Sequence, residues 1–284
     1  MKVLMVGATG TFAIHVIPQL KQRGVTIRAL VRSKDKIDVA RQQGADEAVV
    51  GDLNDADSLR VAASGMEGVF HLNPAFAPNE AELGVAMVEA AKVAGVRKFV
   101  FSGVIHPSIS ALSNHAAKCP VEEALYESGM NFTVLQPTMF MQNFDSGWQA
   151  VMEKGQFALP YSKYAKTSYV DYRDVAEVAA LALTSDRLDH GTFELCDAGM
   201  VDRVELAAMM SEALDRPIEA GEPTFEEWAQ TAHIPEGAIR EGMKKMYAHY
   251  DRYGFPGGNA LVLRAILGRE PRSVRQYFYE LASR

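Results

Sequence analysis

An α/β fold, a doubly wound parallel sheet with a smaller and mainly helical C-terminal lobe, is predicted by three features of the 284-residue sequence. Apolar strands and amphipathic helices alternate through the first half, the pattern that crossover helices impose on a parallel sheet. The first strand runs straight into Gly7 and Gly10, which open a helix. Beyond a late strand, the remaining residues turn to helical spacing and carry many Met and aromatic side chains.

Taken in order, the first strand ends at Val6 and the helix behind it is expected over 11–23, with Ile14, Ile17 and Leu20 on one face. A second strand over 25–31 completes a βαβ unit. Strands then follow at 47–52, 68–73 and 98–103, separated by helices at 55–65 and 80–94, which makes five strands in the first half. A late strand is expected at 191–196, then helices at 203–214, 224–231 and 235–250. The expected organisation is a nucleotide-binding domain over 1–136 and 167–198, and a substrate lobe over 137–166 and 199–284.

The glycine turn carries the first functional signal. A strand, a glycine turn and a helix leave the first helical N–H groups unpaired and aimed at one point, where they and the helix dipole favour an anion. Small residues serve the turn, the close approach of a pyrophosphate and helix-sheet packing; here they are Gly7, Gly10 and Ala13, a GxxGxxA pattern. Ligands of such sheets bind outside the carboxyl ends of the strands. Gly7, Thr9, Gly10, Thr11, Phe12, Arg32, Asp52, Leu53, Asn73 and Ser102 should therefore line one crevice of a Rossmann-type dinucleotide site. A free ribose 2′-hydroxyl is usually met by an acid roughly 20 residues past the glycines, and a 2′-phosphate by a cation. Arg32 occupies that position and Lys36 adds a charge one helical turn on, so NADP(H), with NADPH preferred over NADH, is the expected cofactor.

Composition narrows the class. With 48% hydrophobic and 23% charged residues, the chain can bury a full core. A net charge of −7 with dispersed basic residues argues against a nucleic-acid partner. The opening apolar run is too short for a signal peptide or a membrane span, and two distant cysteines, Cys119 and Cys196, suit a reducing compartment, so a cytoplasmic protein without a metal site is expected.

Several stretches together carry a family resemblance: GATGTFA at 7–13, RALVRSKDK at 28–36, GDLNDADSL at 51–59, VRKFVFS at 96–102, Lys118 followed by Glu122, LQPTMFMQN at 135–143, YVDYRDVA at 169–176 and LGREPRS at 267–273. In order and spacing they resemble the NmrA-like branch of the atypical short-chain dehydrogenases. The resemblance implies an NAD(P)-binding Rossmann fold in which Lys118 contacts the nicotinamide ribose. Pro137, Met139 and Phe140 are expected to help bind the cofactor, and Met139, Met141 and Asn143, with Tyr161 and Trp228, to line a substrate pocket. The Met-rich set of the C-terminal region reads either as core or as an adaptable wall around an aromatic ligand.

One residue is missing. Ordinary short-chain dehydrogenases carry Tyr-x-x-x-Lys, where the Lys lowers the Tyr pKa so that the phenol protonates the substrate carbonyl. Four positions before Lys118 stands Asn114. His115, and His106 at the crevice, are the weak candidates for a replacement donor; the plainer reading of each is an exposed loop histidine. Tyr161, Tyr164 and Tyr169 form another candidate set, in a segment that reads equally as a substrate loop or a solvated connection. Hydride transfer without a dedicated acid suits an electron-poor acceptor, whose developing anion is delocalised. The expected function is thus an NADP(H)-dependent oxidoreductase acting on a flat, aromatic or quinone-like acceptor of quinone, azo or conjugated carbonyl type. The alternative is an NADP(H)-sensing regulator with a protein partner and little turnover; a homodimer stays open at this point. An epimerase or dehydratase is disfavoured by the same missing tyrosine.

Overall fold

The computed structural model describes residues 1–284 and divides into two compact units. The first comprises Met1–Ser110, Asn114–Gln136 and Val175–Phe193; the second comprises Ala111–Ser113, Pro137–Asp174 and Glu194–Arg284. In chain order the elements are β1 (Lys2–Val6), α1 (Val16–Lys21), β2 (Thr26–Val31), α2 (Lys36–Gln42), β3 (Glu47–Val50), α3 (Ala56–Ala63), β4 (Gly68–Leu72), α4 (Glu80–Val93), β5 (Lys98–Ser102), α5 (Ser113–Ala116), α6 (Cys119–Glu127) and β6 (Asn131–Pro137). They continue with β7 (Met139–Phe140), α7 (Asn143–Lys154), β8 (Gln156–Ala158), β9 (Tyr169–Val170), α8 (Tyr172–Thr184), β10 (Gly191–Leu195), α9 (Arg203–Leu214), β11 (Glu219–Gly221), α10 (Phe225–Thr231), α11 (Ala238–Tyr253), α12 (Leu261–Leu267) and α13 (Val274–Ala282). No helix is long and apolar enough to cross a membrane.

The main sheet has seven strands in the order β10-β6-β5-β4-β1-β2-β3. β1 pairs in parallel with β2 on one side and β4 on the other, and the pairs β2–β3, β4–β5 and β5–β6 are parallel as well. Strand order therefore reverses at β1, which creates the crevice that ligands of such sheets use. β4 and β5 are buried almost throughout, as strands covered on both faces must be. Val69, Phe99, Phe101, Leu59, Met87 and Leu125 anchor the core between the sheet and its helices.

Two expectations about this unit need correction. The single helix expected over 11–23 is a 3₁₀ turn at Ala13–His15 followed by the six-residue α1. Pro18 explains the break: it has no N–H to donate to the residue four before it, so a regular ladder cannot run through that turn. The second nucleotide-domain segment was expected at 167–198, but residues 167–174 and 194–198 fall in the second unit. Thr167 is bridged there to Val201 and Phe255, and β9 pairs in parallel with β7.

The second unit packs helices around two small parallel pairs, β7–β9 and β8–β11. Phe144 is a hub of its core, 4.8 Å from the Phe278 ring and 5.1 Å from that of Tyr169. Two of the sequence stretches that carried the resemblance meet here. Asp174 accepts from Arg269 Nη2 at 2.8 Å and from the Arg272 backbone N–H at 2.7 Å, and also pairs with the Arg272 guanidinium. The YVDYRDVA and LGREPRS runs are thus the two halves of one buried clamp that fixes the start of α13.

Candidate functional site

The turn after β1 needs glycine at two positions. Gly7 has φ +85°, in the left-handed region that favours glycine, and its carbonyl accepts the Gly10 N–H at 2.8 Å. A Cβ on Gly10 would stand 3.1 Å from that carbonyl, closer than side-chain carbons ordinarily come. A Cβ on Gly7 would sit 3.6 Å from both Ala13 Cβ and the Leu72 carbonyl, which places the turn between the ends of β1 and β4. Around it Thr9 and Phe12 are half-buried and Gly10 and Thr11 are exposed.

Arg32 follows β2 directly, is exposed, and makes no hydrogen bond or ion pair within the chain. Lys36 is the first residue of α2 and also exposed. Asp52 is committed to its own turn: its carboxylate accepts from the Asn54 backbone N–H at 2.9 Å and from Asn54 Nδ2 at 3.0 Å. Those bonds, and the Arg32 charge beyond them, hold it below the usual carboxylate range. Leu53 packs against the core beside it.

Asn73, just past β4, is buried and locked. Its Nδ2 donates to the Glu80 carbonyl at 2.9 Å, and its Oδ1 takes the His71 Nε2–H. His71 has no exposed surface and stacks on Phe101; burial pulls it down to about 4, so the ring is neutral, with its proton on Nε2. Glu80, the first residue of α4, is buried too. One carboxylate oxygen accepts the Phe76 N–H at 2.9 Å and the other pairs with Lys118 Nζ; the two side chains are 2% and 6% exposed. Lys118 caps α6, and burial pulls its ammonium down to about 8, while the Glu80 charge favours the protonated form. Gly84 lets these elements close, since a Cβ there would lie 2.3 Å from Val121 and 2.8 Å from Asn73 Nδ2. Sequence reading placed Asn73 and Lys118 at the site but missed His71 and Glu80. A glutamate opening a helix is unremarkable in sequence because the helix dipole favours it there anyway.

At the end of β5, Ser102 is fully buried and the Gly103 N–H donates to the Leu135 carbonyl at 2.8 Å. Glu122, one turn past Lys118, accepts Gln136 Nε2 at 2.9 Å; burial pushes its carboxyl up. Asn114 is half-buried on α5. His115 corrects the expectation of an exposed loop histidine. It has no exposed surface, and its Nδ1 meets the His106 carbonyl at 3.2 Å, so it ties the loop at 106, where φ is +55°, to α5. Its ring is therefore enclosed by protein rather than open to the solvent side of the crevice.

In the second unit, Pro137 is buried and Met139 and Phe140 are half-buried on β7, with the Phe140 ring 4.7 Å from that of Tyr172. Asn143 is exposed at the start of α7. Met141 has no exposed surface and belongs to the core around Phe144, which removes it from the expected pocket wall. Tyr161 is buried, its ring stacked at 5.7 Å on that of Tyr247; Trp228 meets Tyr247 edge-on at 5.0 Å. They share one aromatic cluster.

A glycine turn at the switch point of a doubly wound parallel sheet, with an unpaired arginine after the second strand, defines a Rossmann-type α/β protein of the dinucleotide-binding kind. The family model described as the NmrA-like family matches residues 1–277. The chain belongs to the NmrA-like family. It is 32% identical over 250 residues to an NAD(P)H azoreductase of Xenophilus azovorans, an alignment covering 87% of this chain and 86% of that one. Its fold matches triphenylmethane reductase of Citrobacter sp. complexed with NADP(H), with TM-score 0.85, 22% identity and 99% of each chain covered. It matches an NADPH-dependent quinone oxidoreductase of Escherichia coli complexed with NADPH at TM-score 0.83, with 20% identity over 98% of this chain and 99% of that one.

Proposed function

We propose that this chain is an NADPH-dependent reductase passing a hydride to a flat, electron-poor acceptor of the quinone, azo or conjugated carbonyl type. The observation that carries the reading is Asn114 where a tyrosine acid would stand, four residues before a lysine that is retained and buried. The residues present fit the cofactor. The turn needs the left-handed φ of Gly7 and leaves little room for a side chain at Gly10, as pyrophosphate contact requires, and Arg32 offers a free guanidinium fork for a 2′-phosphate, with Lys36 nearby. Lys118 keeps two N–H bonds beyond its Glu80 contact for ribose hydroxyls. NADPH, when bound, supplies the hydride; the protein orients it, and an acceptor that delocalises the incoming charge needs no side-chain acid. The relative named as an azoreductase supports this substrate class.

The test is NADPH oxidation by the purified protein against a panel of quinones, azo dyes, triarylmethane cations and simple ketones. Turnover with the electron-poor acceptors and none with the ketones is expected. Tight NADP(H) binding with no turnover on any acceptor would replace the reductase by the sensing regulator.

A further inference from the structure

Phe76 is half-buried in the loop 73–79 that joins β4 to α4, and its backbone stands at φ +63°. That left-handed conformation is costly for a bulky side chain and persists only where the surroundings enforce it. The loop leaves β4 at the crevice, since the Leu72 carbonyl is 3.6 Å from where a Cβ on Gly7 of the glycine turn would sit. Both ends of the loop are pinned: Asn73 Nδ2 donates to the Glu80 carbonyl at 2.9 Å, and Asn79 Nδ2 donates to Asn54 Oδ1 at 2.8 Å. Phe76 itself is held by Glu80, whose carboxylate accepts its N–H at 2.9 Å.

The Glu80 carboxylate does not serve its own helix. Asn79, the N-cap of α4, makes no side-chain capping bond, and the Glu80 oxygens turn away from the helix. One goes back to the Phe76 N–H and the other across to the Lys118 ammonium at the start of α6. Both partners are donors, so a side chain with two acceptor oxygens is required to meet them together. A glutamine would offer one acceptor and turn an NH2 group on the other donor. Glu80 is thus the one group that joins a strained backbone at the end of β4 to the buried lysine.

We infer that Glu80 is a positioning residue that locks the strained Phe76 loop and the Lys118 ammonium into one arrangement, the one that receives the dinucleotide. The ribose contact of Lys118 rests on the proposed function; the locking of the loop does not. Without Glu80 the loop relaxes out of the left-handed region and binding has to restore it, so the apparent affinity falls by the fraction of chains that still hold it.

The test is NADPH affinity of the full chain by titration calorimetry, at a temperature where circular dichroism shows each variant folded. Glu80→Gln should raise Kd about ten- to hundredfold, the worth of a hydrogen bond to a charged group, and raise the KM for NADPH with it while the KM for a quinone stays unchanged. Loss of a buried pair could loosen the whole fold, so the deciding comparison is Phe76→Gly against Phe76→Ala. Both remove the ring, and only glycine enters the left-handed region without cost. With Glu80 in place the two should bind NADPH alike, because the loop is held in either. In the Glu80→Gln background the glycine variant should bind about five- to tenfold more tightly than the alanine variant, whereas a general loosening would weaken both equally. Should Glu80→Gln not fold, Glu80→Asp, which keeps both acceptors but falls one methylene short of them, carries the same comparison. This pattern of NADPH binding without oxidation by any acceptor would refute the reductase reading and leave the positioning role standing. Equal affinities of the two Phe76 variants in the altered background, or a Glu80→Gln chain that binds NADPH as tightly as the native one, would overturn the inference.

Discussion

Replacing Glu80 by Gln tests whether the buried pair with Lys118 is a unit or a coincidence of packing. Both side chains are almost fully enclosed, so the substitution strips the countercharge from an ammonium that keeps only 6% of its surface open to solvent. Removing one partner of such a pair costs about 3–5 kcal/mol while the survivor stays charged. At about 2–4 °C per kcal/mol for a chain of this size class, Tm should fall by roughly 6–20 °C. The cost depends on pH, and its sign is fixed by the lysine. Lys118 titrates near 8 in the folded chain, against about 10.4 unfolded. Between those values the unfolded chain binds more protons, so this group's contribution to stability rises with pH, and below 8 its burial cost is present in full. Without Glu80 the folded value drops further and that rise begins at lower pH. Above 8 the native chain instead loses the lysine charge and keeps a lone buried carboxylate.

The penalty of Glu80→Gln should therefore be largest near pH 6 and less than half as large at pH 9. Thermal melts across that range measure it. The double replacement Glu80→Leu with Lys118→Met should be much less damaging than the single one, since an apolar pair of similar volume leaves no orphaned charge. A penalty under about 1 kcal/mol at pH 6, or one that does not change with pH, would refute the reasoning.

Arg32→Ala should weaken NADPH by about 1.5–3 kcal/mol and leave NADH almost untouched, as calorimetric titration of both nucleotides will show; equal losses would mean that the exposed arginine meets no 2′-phosphate. Gly10→Val should abolish nucleotide binding with the circular dichroism spectrum retained, because its Cβ would begin 3.1 Å from the Gly7 carbonyl in a turn that faces solvent. His106→Ala and His115→Ala should each keep kcat/KM for a quinone within about tenfold, below the 10²–10⁴-fold of a general acid. His115→Ala should lower Tm as well, since that ring is fully buried.

What was legible in the sequence was whatever a short stretch could carry by itself. The turn at Gly7 and Gly10 and the cation after β2 are fixed by spacing within one βαβ unit, and the strands β1 to β5 announce themselves by apolar runs between turn residues. Glu80 was not legible as the partner of Lys118, 38 residues away, because the contact exists only once α4 and α6 approach over Gly84. The stretch from 137 to 170 hid its strands because β7, β8 and β9 are two or three residues long and show no period. Met141 was misread for a related reason: a methionine after a strand has the same sequence signature whether it fills a core or lines a pocket.

The same pair bears on why Asn114 cannot simply be reversed. In a Tyr-x-x-x-Lys site the ammonium lowers the phenol pKa through an unopposed positive field. Here that field is opposed by the Glu80 carboxylate in direct contact with the ammonium, so a tyrosine at 114 would face a paired lysine and not a free one. A tyrosine placed at 114 would keep an ordinary pKa near 10 and remain a poor acid and base at neutral pH. Asn114→Tyr should consequently fail to reduce unactivated ketones such as cyclohexanone, while quinone reduction stays within a few-fold of the native rate. The measurement is NADPH consumption with both acceptors from pH 6 to 9. If the single substitution conferred ketone turnover with a basic limb near 7, Lys118 would be acting as a free cation, and the pairing with Glu80 would not be the feature that separates this site from that of an ordinary short-chain dehydrogenase.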